Sequence, residues 1–333
     1  MQLRSMSCLF FLRGSVNSRR LTLFVSGLLP LLMVTSCGSQ PASSPIRVSP
    51  EAKRLKVTAT ILPIYLFTKA VAGDAATVKL LISPGTEVHE YQSKPADVQA
   101  IAQSDVIIKN GLGLEQFLTA TVSSAQNSKL MEIDASRGIQ TLVQVSPVVK
   151  PMADKGGDAQ SHEAVNPHVW LDPVRAQAQV ANIRDGLSKA DPLNRQTYQA
   201  NAATYIQQLQ QLDRQFQQGL EKCRTHPCRF VTFHDAFPYL ANRYQLQQLA
   251  VVEIPEDSLT PSDLQKVVAA VKQYNVKTLF SEAGTNNPLL SNLSQDLNLR
   301  LKRLDSLEAG EPNPQHYFVA MKNNLQALEA AFK

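Results

Sequence analysis

Apolar positions along this chain fall into short runs separated by turns rich in glycine, proline and polar residues. Leu55–Ile61, Val78–Ile82, Val106–Asn110 and Leu130–Ile133 read as strands, with helices at Tyr65–Ala72 and Pro95–Ser104 between them. Such alternation predicts a mostly parallel sheet covered on both faces. A second series follows later in the chain: strands Arg229–Phe233, Leu249–Ile254, Val276–Ser281 and Leu299–Leu304, with helices Ala236–Arg243 and Pro261–Tyr274. A last helix spans roughly Gln315 to Phe332. The two series echo each other, because Pro95-Ala96-Asp97-Val98-Gln99 and Pro261-Ser262-Asp263-Leu264-Gln265 each precede a strand.

Between the series, Ile206, Leu209, Leu212, Phe216 and Leu220 recur at three- and four-residue steps, the stripe of one amphipathic helix. Asp191 and Pro192 suit its start, and the pattern carries it to Lys222. Glutamines 207, 208, 211, 215 and 218 fall off the stripe and predict a largely wet helix. At 1.5 Å per residue it would span roughly 45 Å. Sustained heptads are missing, which disfavours a coiled coil. The predicted fold class is therefore α/β: two lobes, each a mostly parallel four-stranded sheet flanked by helices, joined by one long rigid helix. The boundaries expected are a lobe over 55–190, the helix over 191–222 and a second lobe over 223–333.

The N-terminus reads differently. Arg4, Arg13, Arg19 and Arg20 precede an apolar run, Leu21 to Val34, that holds Ser26, Gly27 and Pro30. A basic region, a short apolar core and small residues form an export signal, here residues 1–36. Val34-Thr35-Ser36-Cys37 resembles a lipobox, so Cys37 is the expected lipidation site, followed by a Ser- and Pro-rich tether to residue 54. Taking the signal's four arginines from 33 basic residues leaves 29 against 28 acidic ones, a net charge of about +1. Nothing in that balance suggests a nucleic-acid surface, and no nucleic-acid partner is expected. Cys8 departs with the signal, leaving Cys223 and Cys228. In an exported chain they are expected to form a small-loop disulfide, the competing reading being a zinc pair with His226.

Ligands of open α/β sheets bind beyond the carboxyl ends of the strands. Those positions hold His89, His234, Glu282 and Asp305, while His168 precedes a helix in Asn166-Pro167-His168-Val169-Trp170-Leu171-Asp172-Pro173. Three imidazoles and one carboxylate suit tetrahedral Zn²⁺, although any one such histidine is more often a hydrogen-bonded structural residue. Gly111-Leu112-Gly113 lacks a full nucleotide fingerprint and no phosphate-binding loop is present, so ATP hydrolysis would lie on another subunit. The stretch Val145–Val165, with His162 beside Glu163, reads as a polar surface loop, a metal-gathering role being the competing reading.

Five segments in order carry a resemblance: Pro84-Gly85-Thr86-Glu87-Val88-His89-Glu90-Tyr91-Gln92, Asn110-Gly111-Leu112-Gly113-Leu114-Glu115, the His168 segment above, Thr232-Phe233-His234-Asp235-Ala236-Phe237, and Leu304-Asp305. The chain resembles the metal-specific (zinc/manganese/iron) solute-binding lipoproteins of bacterial ABC transporters. That resemblance implies metal held between the lobes by His89 and His168 from the first and His234 and Asp305 from the second, with Glu282 behind them. Manganese-type members carry glutamate where His234 stands, which implies a zinc-type member. It further implies no catalysis, Zn²⁺ bound as the transported substrate, and delivery to a membrane permease served by a separate ATPase. The protein is expected as an exported, lipid-anchored monomer, periplasmic or on the outer face of the cell membrane. A manganese or iron binder, an adhesin-like lipoprotein and, least of all, a zinc hydrolase using Glu87, Glu90 or Glu282 as base are the rival readings.

Overall fold

The computed structural model describes residues 54–142, 165–252, 261–282 and 288–333. The export signal, Cys37, most of the tether, and His162 with Glu163 lie outside the described residues. All described residues belong to one unit, Ala52–Lys333.

The first sheet contains β1 (Leu55–Ala59), β2 (Ala76–Leu80), β3 (Val106–Lys109) and β4 (Met131–Asp134), interleaved with α1 (Leu62–Ala72), α2 (Pro95–Ala102) and α3 (Leu118–Ala125). Its order is β2-β1-β3-β4, every pair parallel, in register from Leu55 opposite Ala76 to Lys109 opposite Asp134. Val106, Ile107 and Ile108 are all buried, because a central parallel strand is covered on both faces. A 3₁₀ turn (Val169–Leu171) leads into α4 (Pro173–Ala190), whose N-terminal N–H of Val174 is capped by Asp172.

After α5 the second sheet holds β5 (Cys228–His234), β6 (Leu246–Val252), β7 (Thr278–Glu282) and β8 (Arg300–Leu304), interleaved with α6 (Pro238–Arg243), α7 (Pro261–Tyr274) and α8 (Pro288–Asp296). The C-terminal α9 covers His316–Ala331. The strand order is β6-β5-β7-β8, the same topology as the first sheet and again parallel. The echoed Pro-x-Asp-x-Gln sequences begin α2 and α7, each just before the third strand of its sheet. Helices α3 and α8, of eight and nine residues, were not legible from periodicity.

The joining helix is shorter than the sequence suggested, while its off-stripe glutamines Gln207, Gln211 and Gln218 are exposed as expected. The α-helix proper, α5, runs Arg195–Gly219, 25 residues or about 37 Å. Asp191 does not start it. Its carboxylate accepts from Asn194 Nδ2 at 2.6 Å and Tyr198 OH at 2.8 Å, making the corner between α4 and a 3₁₀ turn at Pro192–Asn194. At the other end Gly219 closes the helix and a 3₁₀ turn takes over at Glu221–Arg224. Tyr198, Ala202 and Tyr205 extend the buried stripe, because α5 packs along α4, α1 and α9 instead of standing alone. It grips both halves: Asn201 Nδ2 donates to Val71 O, while Asp213 accepts from Arg243 and from Tyr244 OH. Just beyond it, Cys223 and Cys228 form a disulfide at the entrance to β5.

Helix α4 lies so close to the first sheet that Gly186 is required. A Cβ there would sit 2.4 Å from Ile133 Cδ1 and 2.8 Å from its Cγ1. In an isolated helix alanine would be better than glycine by about 1 kcal/mol. Here overpacking, on the order of 1–3 kcal/mol, outweighs that gain. Gly186→Ala is therefore expected to lower the urea midpoint, and Ile133→Val in the same chain to restore part of the loss. A raised midpoint for Gly186→Ala alone would contradict this packing.

Candidate metal centre

Two loops and the end of a strand deliver three imidazoles to one place. His89 follows β2, in a loop turned by Gly85 at φ +79° and fastened by the His89 N–H, which donates to Glu87 Oε1 at 2.7 Å. His168 stands immediately before the 3₁₀ turn, beside Trp170, whose Nε1 donates to Ser306 O at 2.8 Å. His234 is the last residue of β5. The ring centroids are 4.7 Å apart for His168 and His234, 5.3 Å for His89 and His168, and 5.5 Å for His89 and His234. Each of the three offers a nitrogen within 4.8 Å of the others. His234, Glu282 and Glu308 form a second such group.

Two rings are oriented by their other nitrogen. His168 Nδ1 lies 2.9 Å from Asn166 Oδ1, and His234 Nδ1 lies 2.7 Å from Glu282 Oε1. Because Asn166 Oδ1 and a carboxylate only accept, both rings carry Nδ1–H and turn Nε2 inward. The Nε2 atoms of His89, His168 and His234 are all buried without a hydrogen-bond partner, and so is Glu308 Oε1. Glu308 Oε1 lies 3.9 Å from His89 Nε2 and 3.7 Å from His168 Nε2, and Oε2 lies 3.9 Å from His234 Nδ1. Three sealed nitrogens and one sealed oxygen facing one another form a donor set for a borderline divalent cation.

Asp305, the carboxylate expected from the sequence, belongs to neither group. Its Oδ1 accepts from Leu307 N–H at 2.7 Å, and Asn324 holds its backbone N–H and carbonyl at 2.7 and 2.8 Å. That turn puts Leu307 at φ +66° and swings the chain so that Glu308, three residues on, reaches the imidazoles. The carbonyl of Glu308 accepts from Gly85 N–H at 3.0 Å, joining this loop to the His89 loop. The strand-end rule pointed to the loop after β8 but named Asp305, its first carboxylate, and passed over Glu308 and Glu311. Among rival acids, Glu87 is spent on the backbone of His89 and Glu282 on the His234 ring. Glu115, from the motif after β3, is buried elsewhere, accepting from Thr60 Oγ1 and from the N–H groups of Asn110 and Gly111.

Protonation follows from burial. Burial, helped by His168 and His234, lowers His89 to about 3. Burial and His234 hold His168 far below the ordinary imidazole range. Burial also opposes a charge on His234, but the Glu282 carboxylate outweighs it, with Glu308 and Glu87 adding, and lifts the ring to about 9. Without metal, His89 and His168 are therefore neutral at pH 7 and His234 carries the proton.

A two-lobed parallel α/β protein with a cluster of imidazoles and carboxylates that could hold a metal ion is the class that fold and site define. The family described as zinc-uptake complex component A, periplasmic, matches residues 57–331, and the chain belongs to that family. It is 32% identical over 320 residues to the zinc-binding lipoprotein AdcA of Streptococcus pneumoniae (strain ATCC BAA-255 / R6), covering 93% of this chain and 60% of that relative. The chain thus spans well under the full length of that protein. It is 31% identical over 303 residues to the high-affinity zinc uptake system protein ZnuA of Bacillus subtilis (strain 168), covering 90% of this chain and 93% of the relative. The solved Zn(II)-bound ZnuA-like domain of Streptococcus pneumoniae AdcA superposes with a TM-score of 0.70 at 30% identity, over 84% of this chain and 99% of that one.

The shifted histidines predict how stability depends on pH. Below 6.5 the unfolded chain takes up protons that folded His168 refuses and that folded His89 refuses down to about 3, so stability falls as pH falls through 6.5. His234 acts oppositely: its contribution is full below 6.5 and is lost as pH rises through about 9. Urea unfolding of chelator-treated protein should therefore weaken from pH 6.5 to 5. His89→Gln should remove about one proton from that slope, roughly 1.4 kcal/mol per pH unit. Equal slopes for the two proteins would disprove the assignment.

Proposed function

We propose that this protein is the solute-binding subunit of a zinc importer: it captures Zn²⁺ between its lobes and delivers it to a membrane permease driven by a separate ATPase. The observation that carries the reading is the convergence of four buried donor atoms, His89, His168 and His234 Nε2 and Glu308 Oε1, none with a hydrogen-bond partner. Leaving such atoms unmatched costs on the order of 1–3 kcal/mol each, and one divalent ion satisfies all four. Three imidazoles favour Zn²⁺ over the harder Mn²⁺. Full occupation by four protein atoms leaves no position for an activated water, which suits carriage over catalysis. Membership of the zinc-uptake family and the zinc-binding relatives support the same cargo. Export, an anchor at Cys37 and a monomeric state complete the proposal.

Binding has a proton cost. His234 gives up its Nε2 proton to accept the ion while Glu282 keeps the Nδ1–H, so at pH 7.5 about one proton leaves per Zn²⁺ bound. Retention of zinc should accordingly be markedly weaker near pH 5 than at pH 7.5.

Titration calorimetry tests the ligand set. Wild-type protein should take one tight Zn²⁺ per chain and prefer it to Mn²⁺. Glu308→Ala should weaken zinc by at least the 10–100-fold typical of losing an outer-layer partner. Asp305→Asn, whose amide oxygen still accepts from Leu307 N–H, should stay within a few-fold of wild type. The opposite ranking would return the ligand role to Asp305, and zero stoichiometry would end the importer reading.

Helix α5 holds no proline after Pro192, and its glycine is its final residue, so no hinge interrupts the joint. Metal uptake should then reorder loops rather than swing lobes. Small-angle scattering of zinc-free and zinc-loaded protein is expected to superimpose; a change of several ångströms in radius of gyration would refute the rigid joint.

A further inference from the structure

The segment before His168 and the turn after His234 are tied together by bonds that a ligand set does not itself need. Asn166 uses all four of its polar groups. Its Oδ1 accepts from the His168 N–H at 3.1 Å and meets His168 Nδ1 at 2.9 Å. Its Nδ2 donates to the carbonyl of Asp235 at 2.6 Å, and its own carbonyl accepts from Tyr239 OH at 2.6 Å. Its N–H donates to Leu142 O at 3.2 Å. The Tyr239 hydroxyl also accepts from Leu142 N–H at 3.2 Å, and the Arg175 guanidinium lies 4.8 Å over the Tyr239 ring. Leu142, Asn166 and Arg175 precede α5 in the chain, whereas Asp235 and Tyr239 follow it. Every one of these side-chain bonds except that to His168 therefore joins the two halves.

We propose that Asn166 and Tyr239 are positioning residues for the metal centre, a cross-lobe clamp that holds His168 and His234 together and slows release of the ion. The inference rests on the reading that those two histidines bind metal; neither Asn166 nor Tyr239 touches it. A bound ion leaves when one imidazole swings away from the other. Separating the His168 segment from the turn after His234 requires the Asn166–Asp235 and Tyr239–Asn166 bonds to break first. The Tyr239 side chain is fully buried, so water is not at hand to replace its bond as it opens. One such hydrogen bond corresponds to about a tenfold change in rate.

Zinc release into excess chelator, followed by stopped flow, tests the clamp in the whole protein. Tyr239→Phe removes only the hydroxyl, and Asn166→Asp keeps the acceptor at His168 while deleting the donor to Asp235. Both variants are expected to release zinc about tenfold faster with one-to-one stoichiometry retained; for Tyr239→Phe, which leaves the bonds of the His168 and His234 rings in place, the absorption spectrum of the Co²⁺-loaded protein is expected unchanged. A purely structural role would lower the melting temperature of the metal-free protein and leave the release rate alone, and that result overturns the clamp. Acceleration in only one variant overturns it as a unit. Failure of the wild type to bind zinc would remove instead the ligand reading beneath it.

Discussion

An imidazole nitrogen sealed from water with nothing to bond is a cost, and here three of them point at one another. Everything else in the fold serves to make that arrangement endure. Histidines left to themselves would rotate toward water or share protons with carboxylates. Burial of His168 and His234, the Nδ1 bonds to Asn166 and Glu282, and the Trp170 ring beside His168 remove those options. The site is thus held ready by the chain, and the electrostatics follow: two neutral rings and one protonated ring balanced by acids.

That readiness depends on a frame that does not drift. Two sheets of identical strand order present their carboxyl ends to the site, and α5 locks them by burying its stripe against α1, α4 and α9. The frame is stitched again near the site. Gly85 N–H bonds to Glu308 O, Trp170 Nε1 to Ser306 O, and Tyr317 OH to Trp170 O. Such short-range ties between distant segments explain how loops, ordinarily the variable parts of a protein, hold donor atoms within a few ångströms.

The carboxylates around the histidines divide the labour. Glu87 fixes a backbone, Glu282 fixes a tautomer and Asp305 fixes a turn, leaving Glu308 Oε1 as the sealed oxygen beside the three nitrogens. In the proposed centre this gives one anionic ligand and three neutral ones, a balance that suits zinc, which is borderline in softness. Geometry alone decides whether each of these acids orients, supports or binds.

The sequence alone determined the α/β class, eight strands in two series, and the histidines that follow strands, because strand and helix periods and strand-end positions are local properties. The five ordered motifs also carried the family. Periodicity missed α8 and also α3, whose buried positions Leu118 and Thr121 do not make an apolar stripe, and it drew α5 too long at both ends. Only the tertiary structure decided which acid faces the imidazoles. Asp305 and Glu308 are three residues apart in one loop, and the choice between them rests on a left-handed Leu307 and an Asn324 clamp from α9. It likewise decided that Asn166 reaches across to Asp235 and Tyr239, since contacts between segments about 70 residues apart leave no mark in either segment's own pattern.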